Sequence, residues 1–242
     1  MAFNGFSRET LDFLVENRIQ NSREWFAAHR GQYEQYVLTP LRELVAALTP
    51  TMLDIDPQFT VDPRVNKTIA RIYRDTRYSR DKLIYRDVMW ITFMRKKKFW
   101  AGLPGYYFVF GPDGLDWGVG YYETPRDLLE IYRDFIVRRD RRFLKALKTF
   151  ENENRFNLCS ERYKRSKYPD ESESIRVWLD VKNIDFSTGS KDFSLLYSPR
   201  LAQVLSNDFK ALQPMYDFIC AAESVRTAEK AASIGSEDRS EW

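Results

Sequence analysis

The stretch Gly111-Pro112-Asp113-Gly114 constrains this chain more than any other of its length. It separates residues 106–110 from residues 117–122, two runs rich in aromatic and valine side chains. Proline presets one turn dihedral and glycine accepts a positive φ, so the four residues read as the turn of a β-hairpin. An antiparallel pairing is therefore expected near the middle of the 242 residues.

The flanking sequence follows a helical period instead. Ser7 is placed to cap a first helix that puts Leu11, Leu14 and Val15 on one face. Asn21, with Glu24 three residues on, has the spacing of a capping box for a second helix carrying Trp25, His29, Tyr33 and Tyr36. Thr39 and Pro40 read as cap and first position of a third, with Leu41, Leu44, Val45, Leu48 and Met52 as its buried stripe. Residues 54–67 read as loop. Residues 68–75 and 88–95 read as strands, the second apolar on both faces and so expected at the sheet centre.

Past the hairpin, Thr124-Pro125 begins another helix with Leu128, Ile131, Tyr132 and Phe135, and residues 141–150 form the next. A short strand is expected over 155–159, a loop over 164–174, a short helix over 174–181, and a strand or turn at Phe186. Ser198-Pro199 opens the last helical region, which Pro214 kinks or divides. Residues 223–242 lack a sustained apolar pattern and read as a polar tail, partly helical or frayed. The expectation is one α+β domain over residues 1–222, a mixed or mostly antiparallel sheet with N-terminal and later helices packed on it.

Composition removes several classes of function. The chain is 30% charged and 43% hydrophobic, as folded domains are. Its formal charge of +3 does not mark it as a whole for nucleic acid. Cys159 and Cys220 have no metal or redox spacing and read as reduced thiols. With His29 as the only histidine, no zinc set or His-rich metal site is expected, and His29 reads as a packed or capping imidazole. No Gly-x-Ser-x-Gly elbow and no glycine-rich phosphate loop occurs, so no cofactor is expected. The start has no signal-peptide core, and no apolar run approaches the roughly 18 residues of a membrane span, which leaves the cytoplasm as the expected location.

The chemistry is concentrated in residues 71–86, which hold five arginines and Lys82 against Asp75 and Asp81. In a strand, Arg71, Tyr73 and Asp75 point to one face and Ile72 and Arg74 to the other. A turn from Asp75 would return Arg77 and Lys82 toward the strand end. Guanidinium forks match phosphate and carboxylate oxygens two at a time, and tyrosine hydroxyls add donors. The competing reading is an internal ion-pair network in which the aspartates fix the turn.

Three functions follow as expectations. In the leading one, Arg71, Tyr73, Arg74, Arg77, Lys82 and Tyr85 bind an anionic small molecule, such as a phosphorylated one. In the second the site is catalytic, with Asp75 or Asp81 as general base. In the third the chain binds nucleic acid through Arg95, Lys96, Lys97 and Lys98 with Phe99 or Trp100 stacking on a base, aided by the basic runs at 138–142 and 162–167. The run at 95–98 reads more readily as a solvated turn after a strand, its charges discouraging edge pairing. Gly118 and Gly120 mark a bulge or a place where another backbone or a ligand comes close, the bulge being the reading preferred.

The stretch Arg71-Ile-Tyr-Arg-Asp-Thr-Arg-Tyr-Ser, followed by Asp81-Lys82 and Tyr85, resembles the signature of a widespread bacterial family, domain of unknown function 2461 (DUF2461). Phe3-Asn-Gly-Phe-Ser, Asn21-Ser-Arg-Glu-Trp-Phe, Gly118-Val-Gly-Tyr with Pro125, and Leu212-Gln-Pro-Met-Tyr-Asp-Phe are similar to its other elements, so the resemblance runs to about Ala222. The chain departs from the family in having Leu83-Ile84 where Thr-Pro is usual and Arg86 where lysine is usual. The resemblance implies a shared fold and points to the same segment; it implies no activity.

Overall fold

The computed structural model describes residues 2–77, 80–96, 103–158 and 161–237, with side chains as far as Lys230. Helices α1 (Arg8–Gln20), α2 (Arg23–Ala28) and α3 (Arg30–Gln32) open the chain, and a π-helical turn at Tyr33–Leu38 runs directly into α4 (Thr39–Ile55). Strands β1 (Met89–Phe93), β2 (Gly105–Gly111) and β3 (Gly114–Gly120) follow. Then come α5 (Arg126–Val137), α6 (Arg141–Glu153), β4 (Asn157–Leu158), α7 (Glu173–Leu179), β5 (Asp185–Ser190), α8 (Phe193–Leu196), α9 (Arg200–Ala211) and α10 (Gln213–Glu237). The described strands form one five-stranded sheet in the order β1-β2-β3-β5-β4, and the fold is α+β.

Residues Pro112 and Asp113 make the expected hairpin turn between β2 and β3. β1 pairs antiparallel with β2, Met89 opposite Phe110 and Ile91 opposite Phe108, and β4 pairs antiparallel with β5. Strand alternation is plain in β1: Met89, Ile91 and Phe93 are buried, Trp90 and Thr92 half-buried. β1 stands first in the sheet order and is not central. Its outer side is covered by irregular backbone: Ala70 N donates to Trp90 O at 3.0 Å and Thr92 N to Thr68 O at 2.9 Å.

Residues 68–75 correspondingly do not form a strand. They bridge β1 at Ile69 and then change partner, Tyr73 bridging Tyr85. A segment that switches partner within four residues cannot build a continuous ladder. The predicted alternation survives, with Ile72 buried while Arg71, Tyr73 and Asp75 are exposed.

The bulge expected near Gly120 gives way to a close backbone approach. β3 runs unbroken from Gly114 to Gly120. A Cβ on Gly120 would stand 2.4 Å from the Ile184 carbonyl oxygen, so only glycine fits there.

The helix starts also need correction. Ser22, not Asn21, caps α2, accepting the Trp25 N–H, while Asn21 closes α1 in the left-handed region at φ 45°. Thr39 lies inside continuous helix with αR dihedrals rather than at a cap. Within the π turn the Tyr36 carbonyl accepts from Thr10 Oγ1 at 2.7 Å.

The chain divides into two compact units. The first comprises residues 1–96, 106–118 and 188–210. Its core holds Leu14, Val37, Leu41, Leu44, Val45 and Leu48 of the N-terminal helices, Ile91, Phe108 and Phe110 of the strands, and Phe209. Phe6 packs on Phe110 at 4.6 Å between ring centroids, and Trp117 donates its indole N–H to the buried Asp208 at 2.8 Å. The second comprises residues 97–105, 119–187 and 211–242. Trp178 is its centre, with Phe143 and Phe150 each at 5.4 Å and Phe186 at 5.1 Å. Burying one such ring contributes about 1.5–3 kcal/mol.

Pro214 divides the last helical region, as expected, falling in the first turn of α10, where its missing N–H costs nothing. Of the two readings of the tail, partly helical or frayed, the helical one holds as far as Glu237, where α10 ends. Glu223 and Arg226 are only 2% and 7% exposed. Arg226 donates to both Glu223 carboxylate oxygens, at 3.0 and 2.5 Å, and the Tyr121 hydroxyl donates to Glu223 at 3.1 Å. A helix that buries an ion pair carries no apolar period at those positions, so its inward face is invisible to a hydrophobicity reading.

Among the described residues no helix is long and apolar enough to cross a membrane, and no cluster of three His, Cys, Asp or Glu side chains is placed to hold a metal ion.

Candidate functional site

The arginine-rich segment folds as a narrow excursion within the first unit. Its two legs are tied by the Tyr73–Tyr85 bridge, by Arg74 N to Ile84 O at 2.9 Å and by Arg86 N to Ile72 O at 3.0 Å. Helix α1 clamps its base. Asn21 Oδ1 accepts the Ile84 N–H at 2.7 Å, and Arg18 reaches the Tyr85 carbonyl at 3.4 Å and Asp87 at 3.2 Å. Arg86 lies over the Trp90 ring at 4.6 Å and donates to the Tyr73 carbonyl at 3.2 Å.

An aromatic cluster supports the same base. Phe26 of α2 stands within 5.7 Å, centroid to centroid, of Tyr73, with Tyr33 at 5.3 Å and Tyr85 at 5.1 Å. Tyr85 is fully buried, and its hydroxyl has no partner at hydrogen-bonding distance among the described residues. Burial, and then the neighbouring Tyr73 phenol, push its pKa above the ordinary tyrosine range. Tyr85 is therefore a core residue of the excursion rather than part of an open lining. Tyr73 is 42% exposed and presents its ring at the surface. His29 stacks on Trp25 at 3.9 Å and bonds the Trp25 carbonyl through Nδ1, the packed and capping role expected of it.

The excursion's two acids are already engaged. Asp75 forms a two-pronged pair with Arg77 at 3.0 and 2.6 Å and accepts the Arg77 N–H at 3.2 Å. Asp81 pairs with Arg74, lies 3.5 Å from Arg18 and accepts the Leu83 N–H at 2.9 Å. The Arg77 guanidinium holds the Asp75 carboxyl far below the usual carboxylate range. The Leu83 N–H, then Arg74, lower that of Asp81. A general base needs a pKa near the working pH, and these groups are moved the other way. Their geometry is that of counter-ions.

The cations divide into two sets. Arg74, Arg77 and Arg18 are bound to those aspartates. Arg71, Arg80 and Lys82 are exposed and have no carboxylate partner among the described residues. Lys82 Nζ donates to the Thr76 carbonyl at 3.0 Å. Arg71 lies close enough to Asp75 to lower its pKa further. At the foot of the excursion Val15, Arg18, Ile19, Leu83, Asp87 and Pro112 line an open depression of about 400 Å³.

Of the alternative nucleic-acid set, Arg95 is spent on Asp56, a carboxylate only 3% exposed, at 2.6 Å. Lys96 is exposed. Lys97, Lys98, Phe99 and Trp100 lie outside the described residues. The sequence reading missed Arg18, Asn21 and Phe26, which position the excursion from distant points in the sequence, Asn21 from 63 residues away. Asparagine at the end of a helical pattern is a readable C-cap signal, and it marks Asn21.

Fold and site together define an α+β protein with a basic, tyrosine-backed excursion clamped by its first helix. Residues 9–218 match the family described as conserved hypothetical protein (DUF2461), and the chain belongs to that family. No curated protein matches it.

Proposed function

We propose that this protein binds an anionic ligand, a small molecule bearing phosphate or carboxylate, on the exposed basic face of the 71–86 segment. The observation that supports this is the unequal pairing of charge. Asp75 and Asp81 satisfy Arg77, Arg74 and Arg18, which leaves Arg71, Arg80 and Lys82 without an ion pair to a described carboxylate. An uncompensated cationic face attracts anions, and a rigid base lowers the ordering cost of holding one. Arg74 and Arg77 shape the loop, and Arg71 and Lys82 meet the ligand, with the exposed Tyr73 ring beside them. The lowered pKa values of both aspartates favour binding over acid–base catalysis. The same reading keeps the protein in the cytoplasm, where Cys159 and Cys220 stay reduced.

A thermal-shift series with inorganic phosphate, pyrophosphate and phosphorylated metabolites tests it. Ligand at about 100 times its Kd stabilises by about 2.7 kcal/mol. The expected result is a shift that Arg71→Ala/Lys82→Ala abolishes. No shift with any anion, or an equal shift in that variant, overturns the proposal.

A further inference from the structure

In the second unit, residues 161–163 run antiparallel to residues 180–182. Arg162 bridges Val181, Tyr163 N donates to Asp180 O at 2.8 Å, and Lys182 N donates to Glu161 O at 3.0 Å. This ribbon presents Tyr163, 44% exposed. The Arg133 guanidinium lies over its ring at 5.5 Å and the Lys182 ammonium at 5.9 Å. Arg133 is itself fixed, donating to the carbonyls of Leu179 and Val181, each at 2.9 Å. The ring is thus backed by a guanidinium whose own position is set by backbone carbonyls.

The chain then continues through Lys164, Arg165 and Lys167, all exposed. Arg162, Lys164, Arg165 and Lys167 make no ion pair or side-chain hydrogen bond with a described residue. The other basic run of this unit behaves differently: Arg138 pairs with Asp134, Arg139 with Glu171 and Arg142 with Asp140. Of the 138–142 run only Arg141 is left without an ion pair to a described residue, whereas the ribbon keeps four such cations. Residues 161–167 and 180–182 with Arg133 hold six cations against Glu161 and Asp180, an excess larger than the +3 of the entire chain.

We infer that this ribbon is a docking surface for single-stranded nucleic acid. Closely spaced cations meet a phosphate backbone, and a fixed, half-exposed ring offers a base a stacking platform that is indifferent to sequence. An acidic peptide would satisfy the cations and leave the ring unused. A duplex would need a helix or strand projecting into a groove, and the ribbon is followed by irregular chain.

Fluorescence anisotropy of labelled oligothymidylate with the full chain tests this. Affinity is expected to fall with salt, with a log–log slope of about −0.7 for each phosphate neutralised. Lys164→Glu/Arg165→Glu is expected to weaken binding at least about tenfold, and because both side chains are exposed the fold survives. Tyr163→Ala is expected to weaken it about tenfold while Tyr163→Phe, which keeps the ring, does not. Arg71→Ala/Lys82→Ala leaves it unchanged, which separates this surface from the excursion. Absence of binding at low salt, undiminished binding by the double-glutamate variant, equal competition by polyglutamate, or loss confined to the Arg71/Lys82 variant would each overturn the inference.

Discussion

The side-chain oxygen of Asn21 accepts the backbone N–H of Ile84 at 2.7 Å, across 63 positions of sequence. Asn21 also ends α1 in the left-handed region at φ 45°, its own N–H bonded to the Asn17 carbonyl at 3.0 Å. One residue therefore stops a helix and anchors the excursion that carries the candidate site. Asn21→Ala leaves a part-buried N–H unpaired, at about 1–3 kcal/mol, and removes the polar side chain that lets asparagine tolerate the left-handed region, which costs an ordinary residue about 1–2 kcal/mol. Asn21→Gly keeps the dihedral and loses only the bond. Urea unfolding should rank wild type above Asn21→Gly and Asn21→Gly above Asn21→Ala. Equal midpoints for the two variants would show that the strain does not operate.

The two sets of cations should separate experimentally. Arg74 is tied to Asp81 and donates to the Leu83 carbonyl at 3.3 Å, so Arg74→Ala should lower the Tm and expose the excursion to proteolysis. Arg71 is exposed and forms no ion pair with a described carboxylate, so Arg71→Ala should leave the Tm within about 2 °C of wild type, as surface changes of under about 0.5 kcal/mol do. Its effect should fall instead on the shift produced by phosphate. The reverse pattern, with Arg71→Ala destabilising and Arg74→Ala silent, would exchange the roles assigned to them.

Acid stability should report the paired aspartates. Asp140 caps α6 by accepting the Arg142 N–H at 2.9 Å, and the Arg142 guanidinium holds its carboxyl down to about 2. An unfolded aspartate titrates near 3.9, so the folded protein binds this proton less readily than the unfolded chain. The stabilisation is complete above about pH 5 and is lost as the pH falls through 4 toward 2. Asp75 and Asp81 act in the same direction. Asp140→Asn retains a capping acceptor without the charge. Thermal unfolding of both proteins should show a difference at pH 7 that closes near about pH 2; a constant difference would assign the effect to the cap alone.

How much of this could be read beforehand depended on how far each determinant reaches. The hairpin was legible because Gly111-Pro112-Asp113-Gly114 specifies its turn locally. The excursion was legible as a cluster, since its charges and tyrosines are contiguous in sequence. Which of those charges remain available was not, because Arg18 arrives from α1 to share Asp81, and no local pattern announces a partner 63 residues away. The edge position of β1 was hidden for a related reason. Residues 68–70 cover its outer side, so it carries the double-sided apolar pattern of a central strand. The π turn at Tyr33–Leu38 has no periodic signature at all and emerges from packing.

The inward face of α10 was illegible because it is ionic, and this makes a sharp test. Glu223 and Arg226 are buried against each other, with the Tyr121 hydroxyl donating to the same carboxylate, and burial together with Glu223 raises the Tyr121 pKa above the tyrosine range. Removing one member of such a pair strands the other charge, which costs about 3–5 kcal/mol. Replacing both by apolar residues of similar size is commonly neutral or stabilising. Glu223→Leu should therefore unfold at a clearly lower urea concentration than wild type, while Glu223→Leu/Arg226→Leu should recover most of the loss. The double variant cannot recover all of it, because Asp127, which now faces Arg226 at 3.5 Å and Lys230 at 2.9 Å, keeps only the lysine. A double variant no more stable than the single one would mean that Arg226 is held chiefly by partners other than Glu223, and that the ionic face does not organise the end of the helix.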